Sequence, residues 1–214
     1  MKGDIIIVEP HHRDAARQIV ARLLPQIAAE RAYVITVAGE SGSGKSETGK
    51  AIAEELERNG KRAFVFQQDD YFVLPPKSND SRRRDDISWV GTDEVRLNLL
   101  DEHIAAAHRR ERRLAKPLVD YERDAIDSEV VDLRGYDVFV AEGTYTTLLT
   151  DVDCRVFIDR NRLQTLESRR RRAREPIEPF LERVLEIEHG IISSHKSMAD
   201  IIITEEYEVR FVAP

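Results

Sequence analysis

With 214 residues, 41% of them hydrophobic and 34% charged, the chain is long enough for one well-cored globular domain. A formal charge of −7 argues against attraction of the whole surface to nucleic acid or anionic membrane. A single cysteine, Cys154, excludes a disulfide framework and a thiolate metal cluster.

No apolar run approaches the roughly 18 residues of a membrane span, and the N-terminus lacks the basic-then-apolar shape of a signal peptide. A reduced cytoplasm is the expected setting. Only seven of the 33 basic residues are lysines, so arginine dominates, the side chain whose planar fork suits phosphate and carboxylate.

In chain order, residues 5–8 are a short apolar run expected as an edge strand. Residues 11–29 carry Ala15, Ile19, Leu23 and Ile27 at helical spacing, interrupted by Pro25. The run YVITVA (33–38) is nearly all apolar, as suits a strand buried on both faces. A glycine-rich stretch follows, then a helix over 45–59 that stops at Asn59-Gly60. RAFVFQ (62–67) is a second strand. Residues 69–89 form a long polar loop, for which function is a better explanation than mere connection. A helix is expected over 92–108, capped by Thr92 with Asp93 and Glu94 in its first turn. Residues 114–133 read as strand fragments and loop. DVFVA (137–141) and CRVFI (154–158) are further buried strands, with Cys154 a small core residue. Helices are expected over 162–175, very basic and stopped by Pro176, and over 180–192. Strands at 199–204 and 207–212 close the chain as a hairpin. The alternation predicts an α/β three-layer sandwich with a mostly parallel sheet. We read 1–214 as one domain, with residues 1–30 an N-terminal strand and helix extension and about 160–190 an arginine-rich helical lid and its following helix.

Residues 39–46, GESGSGKS, fit G-x-x-x-x-G-K-[ST] in full, directly after a strand and before a helix. The glycines let successive amides turn inward onto phosphate oxygens, and the helix N-terminus adds positive potential. The expected nucleotide-binding set is Gly39, Glu40, Ser41, Gly42, Ser43, Gly44, Lys45, Ser46 and Glu47. In it Lys45 reaches the terminal phosphates and the Ser46 hydroxyl binds Mg²⁺. ATP and Mg²⁺ are the expected cofactors.

Ligands of open α/β sheets bind beyond the carboxyl ends of the strands. Those ends carry Gln68-Asp69-Asp70, Glu142-Gly143 and Asp159-Arg160. Asp137 starts its strand and lies roughly 13–17 Å from the other end at about 3.3 Å per residue, so Glu142 is the better metal partner. Asp69 suits the base that accepts the proton of an attacking hydroxyl. Of the arginines at 169–172, Arg169 and Arg172 share a helix face that could close on the γ-phosphate, while Arg170 and Arg171 read as solvated. Nucleic-acid binding through this run and Arg82-Arg83-Arg84 is disfavoured by the acidic total and the lack of interleaved aromatics. The histidines (11, 12, 103, 108, 189 and 195) have no metal-ligand spacing and read as surface or packing residues.

These residues together resemble the uridine kinase and phosphoribulokinase group of P-loop kinases, from residue 33 to 204. The likeness is carried by GESGSGKS, QDDYF (68–72), PLVDY (117–121), VFVAEGTY (138–145), the arginine-rich stretch after FID (157–159), and ADIII (199–203). It implies that Asp69 is the catalytic base, that Lys45 and Ser46 hold phosphates and Mg²⁺, and that Glu142, with Asp69, supports the metal. It also implies that Arg169 and either Arg172 or Arg174 come from a lid, and that Tyr71, Phe72 and Tyr121 line the acceptor pocket; Trp89 either stacks on the acceptor or packs in the core, and Tyr145 is a further candidate substrate residue. One stretch departs from the family. Where uridine kinases carry N-[FW]-D-H-P-D, residues 86–91 read DISWVG, with Ser88 in the place of the ribose-gripping aspartate, which removes one acceptor for a ribose diol.

The activity implied is transfer of the ATP γ-phosphate to a hydroxyl of a small molecule. A pyrimidine nucleoside, a sugar phosphate, pantothenate or glycerate are the acceptor classes, with no nucleic-acid or membrane partner and with a homo-oligomer left open. Two rivals come from other classes. A regulatory GTPase fails because Asp132-Leu133-Arg134-Gly135 precedes the third strand rather than following it, and no N-K-x-D run exists. A non-catalytic nucleotide sensor has no use for Asp69 and Glu142.

Overall fold

The computed structural model describes residues 2, 6–28, 30–161, 164–165 and 179–212. The expected helix at 162–175, with Arg169, Arg172 and Arg174, therefore lies outside the described residues.

The centre is a six-stranded sheet in the order β2-β5-β1-β6-β7-β8. Its strands are β1 (Tyr33–Gly39), β2 (Ala63–Gln67), β5 (Val138–Glu142), β6 (Cys154–Ile158), β7 (Ile201–Ile203) and β8 (Val209–Phe211). All pair in parallel except β8, which runs antiparallel to β7 as the expected hairpin. β1 is buried along its whole length between β5 and β6, as its unbroken apolar run requires.

Alternate residues of β1 feed two cores. Ile35 and Val37 pack with Ala15, Ile19 and Val20 of α1 (Pro10–Leu23) and Ala51, Ile52 and Leu56 of α2 (Lys45–Arg58). Val34 and Ala38 join Leu100, Ile104 and Ala107 of α4 (Leu97–His108) and Ile192 of α5 (Pro179–Ile192). Period-2 strands between period-3.6 helices give the layered arrangement directly.

The structure differs from the sequence reading in four places. Residues 6–8 form no strand. The carbonyls of Ile6 and Val8 are taken by the side chains of Lys50 and Arg13 instead of by a ladder. The polar stretch after β2 is mostly helical: a 3-10 turn at Gln68–Tyr71, α3 (Pro76–Asp85), and a further 3-10 turn at Ile87–Trp89. α3 has no apolar stripe to betray it. Its N-terminal amides at Lys77 and Ser78 are capped by Asp124, 46 or more positions away in sequence. The helix expected from Thr92 starts at Leu97, after a short 3-10 turn at Thr92–Glu94. Between them Val95 bridges to Phe72 and the Arg96 amide donates to the Tyr71 carbonyl, so tertiary pairing wins over helix continuation. Finally, residues 114–133 form a full antiparallel hairpin, β3 (Arg113–Asp120) with β4 (Ala125–Asp132), a two-stranded sheet apart from the main one.

Candidate active site

The carboxyl ends of β1, β2 and β5 bring the predicted phosphate and carboxylate residues to one edge. β1 runs into the loop 40–44, whose Gly42 and Gly44 have φ of 77° and 99°. A Cβ on Gly44 would lie 1.9 Å from the Tyr207 hydroxyl oxygen and 3.0 Å from His12 Nε2, so only glycine fits. Lys45, the first residue of α2, reaches back to donate from Nζ to the Glu40 carbonyl at 2.9 Å. Ser41 is half-buried, Ser43 and Glu47 are buried, and Ser46 is half-buried on the first turn of α2.

Glu142 ends β5 in register with Gln67, the last residue of β2, and Gln67 Nε2 lies 3.4 Å from Glu142 Oε1. α2 passes close above it: a Cβ on Gly49 would lie 3.3 Å from that of Glu142. The Glu142 carboxyl is pushed up to about 7, first by burial and then by the charge of Asp69, with Glu47 adding to it. Lys45 and a hydrogen bond from Ser46 oppose the shift. Asp69, Lys45 and Ser46 thus each act on the Glu142 carboxyl, and the four residues come from three separate motifs. Asp137 stands at the opposite end of β5, where its carboxylate accepts the Arg62 amide at 2.9 Å.

Asp69 sits in the 3-10 turn Gln68–Tyr71, the half-exposed member of a turn whose other three residues are buried. Gln68 accepts the Tyr145 amide at 2.7 Å, and Gly143 lets it in, since a Cβ there would lie 2.2 Å from the Gln68 Cβ.

Two expected pocket residues are corrected. Tyr71 is fully buried in the core and its hydroxyl is bonded to His103 Nδ1 at 2.9 Å, so it braces the turn and lines no open surface. Tyr145 is likewise buried in that core. Phe72 packs partly against it. Trp89 is half-buried, with Nε1 donating to Asn79 Oδ1 at 2.9 Å and the Arg82 guanidinium 5.7 Å from its ring centre. Tyr121 is half-buried in the turn between β3 and β4. The Ser88 hydroxyl donates to Asp86 Oδ1 at 2.6 Å, and this bond together with that from the Ser88 amide holds the Asp86 carboxyl below its ordinary range.

Several partners of the site escaped the sequence reading. Tyr207, in the turn between β7 and β8, donates to the Ser43 carbonyl at 2.6 Å, beneath the Arg160 guanidinium and beside the rings of His11 and His12. His189 Nδ1 lies 2.5 Å from Glu40 Oε1, so this histidine is a partner of the phosphate loop and not a plain surface residue. Its neighbour Glu188 meets Arg83, which also forks onto the wholly buried Glu94 through Nε at 2.8 Å and a second nitrogen at 2.5 Å. No spacing rule signals these contacts, because each joins residues 11 to 196 positions apart.

Among relatives, 28% identity over 85% of this chain links it to a bifunctional alpha-galactosidase/sucrose kinase of Mediterraneibacter gnavus, of whose length the match spans 21%. A uridine kinase of Anoxybacillus flavithermus is 30% identical over 82% of this chain and 87% of its own. Among solved structures, one described as a possible uridine kinase from Bacillus stearothermophilus shares the fold, with a TM-score of 0.61 at 20% identity over 89% of this chain and 97% of that one. Residues 34–205 match the family model described as the phosphoribulokinase / uridine kinase family. On that match, and with the phosphate loop and the carboxylates of β2 and β5 at one sheet edge, the chain belongs to the phosphoribulokinase/uridine kinase family.

Proposed function

We propose that the chain is an ATP-dependent kinase that transfers the γ-phosphate to a hydroxyl of a small polyhydroxylated molecule, with Asp69 as general base. The observation that carries this is the electrostatic convergence of Asp69, Lys45, Ser46 and the buried Glu142 beside a phosphate loop. The acceptor oxygen attacks the γ-phosphorus in line with the departing ADP, and its proton passes to Asp69. Lys45 releases the Glu40 carbonyl to meet the terminal phosphates.

The donor set fits Mg²⁺: the Ser46 hydroxyl and the carboxylates of Glu142 and Asp69 are hard oxygen ligands, and a cation would hold Glu142 ionised against its burial. Bound there, Mg²⁺ would supply charge neutralisation of the phosphates. Arg169, with Arg172 or Arg174, would add positive charge from the lid. Phe72, Trp89 and Tyr121, the aromatic residues of the acceptor side that keep some exposure, would meet the acceptor.

A sugar-like acceptor is favoured over a pyrimidine nucleoside. Ser88 stands where the family grips the ribose, and its hydroxyl is already spent on Asp86. The sucrose kinase part of the bifunctional relative supports the same choice.

ADP release measured with uridine, sucrose, D-fructose, D-glycerate and pantothenate tests this. We expect sucrose, fructose or glycerate to exceed uridine, and Asp69→Asn to lower transfer by about 10²–10⁴-fold while nucleotide still binds. Nucleotide binding with no acceptor turned over would leave only a sensor, and uridine as best acceptor would overturn the acceptor assignment.

A further inference from the structure

Asp70 follows the proposed base, and its partners lie on a part of the molecule with no strand pairing to the main sheet. Its Oδ1 accepts the Val119 amide at 3.0 Å and its Oδ2 accepts Lys116 Nζ at 2.8 Å. Lys116 also donates to the Pro117 carbonyl at 2.9 Å and reaches Glu129 Oε1 at 2.8 Å, its cross-strand partner on β4. The side chains of Asp70 and Lys116 are each only 3% exposed.

We propose that Asp70 and Lys116 are a positioning pair, which clamps the β3–β4 hairpin onto the turn Gln68–Tyr71 and thereby fixes where Asp69 presents its carboxylate. The inference rests on the reading of Asp69 as base. Each of the other three residues of that turn is tied to a different element: Gln68 to the Tyr145 amide after β5, Asp70 to β3, and Tyr71 to His103 of α4. These three side-chain anchors pull in three directions, beside the backbone bond from the Arg96 amide to the Tyr71 carbonyl, and those of Gln68 and Tyr71 by themselves would leave an axis between the two residues. Among the side-chain anchors, that of Asp70 opposes rocking about this axis.

The chemistry of the pair suits this role. An apolar contact would hold the hairpin against the turn at lower desolvation cost, but it has no preferred direction. A carboxylate that accepts one charged and one backbone donor from the same strand is fixed in angle as well as in distance. Angular control matters next to a general base, since displacement by about 1 Å at a reacting group can cost about 10²-fold in rate.

The test compares Lys116→Met with Glu129→Gln, which removes only the outer, 40% exposed partner of Lys116. Transfer is read with whichever panel compound gives the most turnover, water counted as one, and each variant is crystallised beside the wild-type protein. We expect Lys116→Met to lower kcat by about 10–100-fold with KM for ATP within about twofold. Its crystals should show Asp69 turned away from Glu142, and Glu129→Gln should keep the wild-type kcat. If Lys116→Met fails to fold, as judged by near-ultraviolet circular dichroism, the neutral double variant Asp70→Asn/Lys116→Met replaces it, with the same low kcat expected. Wild-type kcat in either variant, or a lowered kcat with Asp69 unmoved, overturns the proposal. Asp69→Asn is assayed in parallel: if it keeps full transfer, the reading of Asp69 as base fails instead.

Discussion

From Gly39 to Glu47 the chain builds its phosphate loop from nine consecutive residues, with Gly39, Gly42 and Gly44 at positive φ. From Gln68 to Glu94 it builds out of side chains, which find their partners on the hairpin, on α4 and on α5. The difference follows from what each region meets. A triphosphate offers the same oxygens in every kinase, and a fixed row of N–H groups suits it. Acceptors differ in shape and hydroxyl pattern, and a side built of polar side-chain pairs, such as Ser88 with Asp86, can vary with them.

Substitutions on the two sides should therefore fail differently. The largest effect is expected from Glu94→Ala, which strips the buried fork from Arg83 and leaves its charge facing Glu188. Urea unfolding should show a loss of about 3–5 kcal/mol, with nucleotide affinity kept in the folded fraction. Gly44→Ala does the reverse. The strained φ and the clash with Tyr207 should weaken nucleotide binding by about 100-fold in calorimetric titration, with the acceptor side still assembled.

A smaller effect joins the two sides at Glu142. Its carboxyl, raised from 4.5 to about 7, is less easily ionised in the folded protein than in the unfolded chain. Its contribution therefore lowers the stability of the nucleotide-free protein as pH rises from about 4.5 to about 7, with no further change above that. Each pH unit in that window corresponds to at most about 1.4 kcal/mol. Glu142→Gln should remove this slope from the unfolding curves; an unchanged slope would mean that another group produces it. The smallest effect is reserved for Ser88→Ala, which loses one exposed bond to Asp86. Stability should move by no more than about 0.5 kcal/mol, and turnover of the best acceptor found should stay within about twofold. A tenfold loss would show that Ser88 touches the acceptor.

The same contrast explains what the sequence disclosed. The five parallel strands and α2 were legible because apolar runs and a glycine motif are local signals. Asp69 and Glu142 were legible as strand-end carboxylates, by the rule that ligands gather beyond those ends. α3 was invisible: PKSNDSRRRD has no apolar period, and its cap comes from Asp124 on the hairpin. The start of α4 was misjudged because Thr92, Asp93 and Glu94 look like a first helical turn, whereas Glu94 is drawn inward by Arg83 and Asn79. Tyr71 was expected at the acceptor pocket through the family resemblance, and Tyr145 as a further substrate residue. In a short turn or loop, however, adjacent side chains leave in different directions, and these two enter the core.

Glu188 and His189 are successive residues of α5, so their side chains leave the helix about 100° apart. One is hooked to Arg83 and the other to Glu40 of the phosphate loop. A helix gripped at two such bearings cannot roll about its axis without unhooking at least one of them. α5 thus behaves as a keyed shaft: a torque applied through Arg83 is delivered to Glu40 of the phosphate loop.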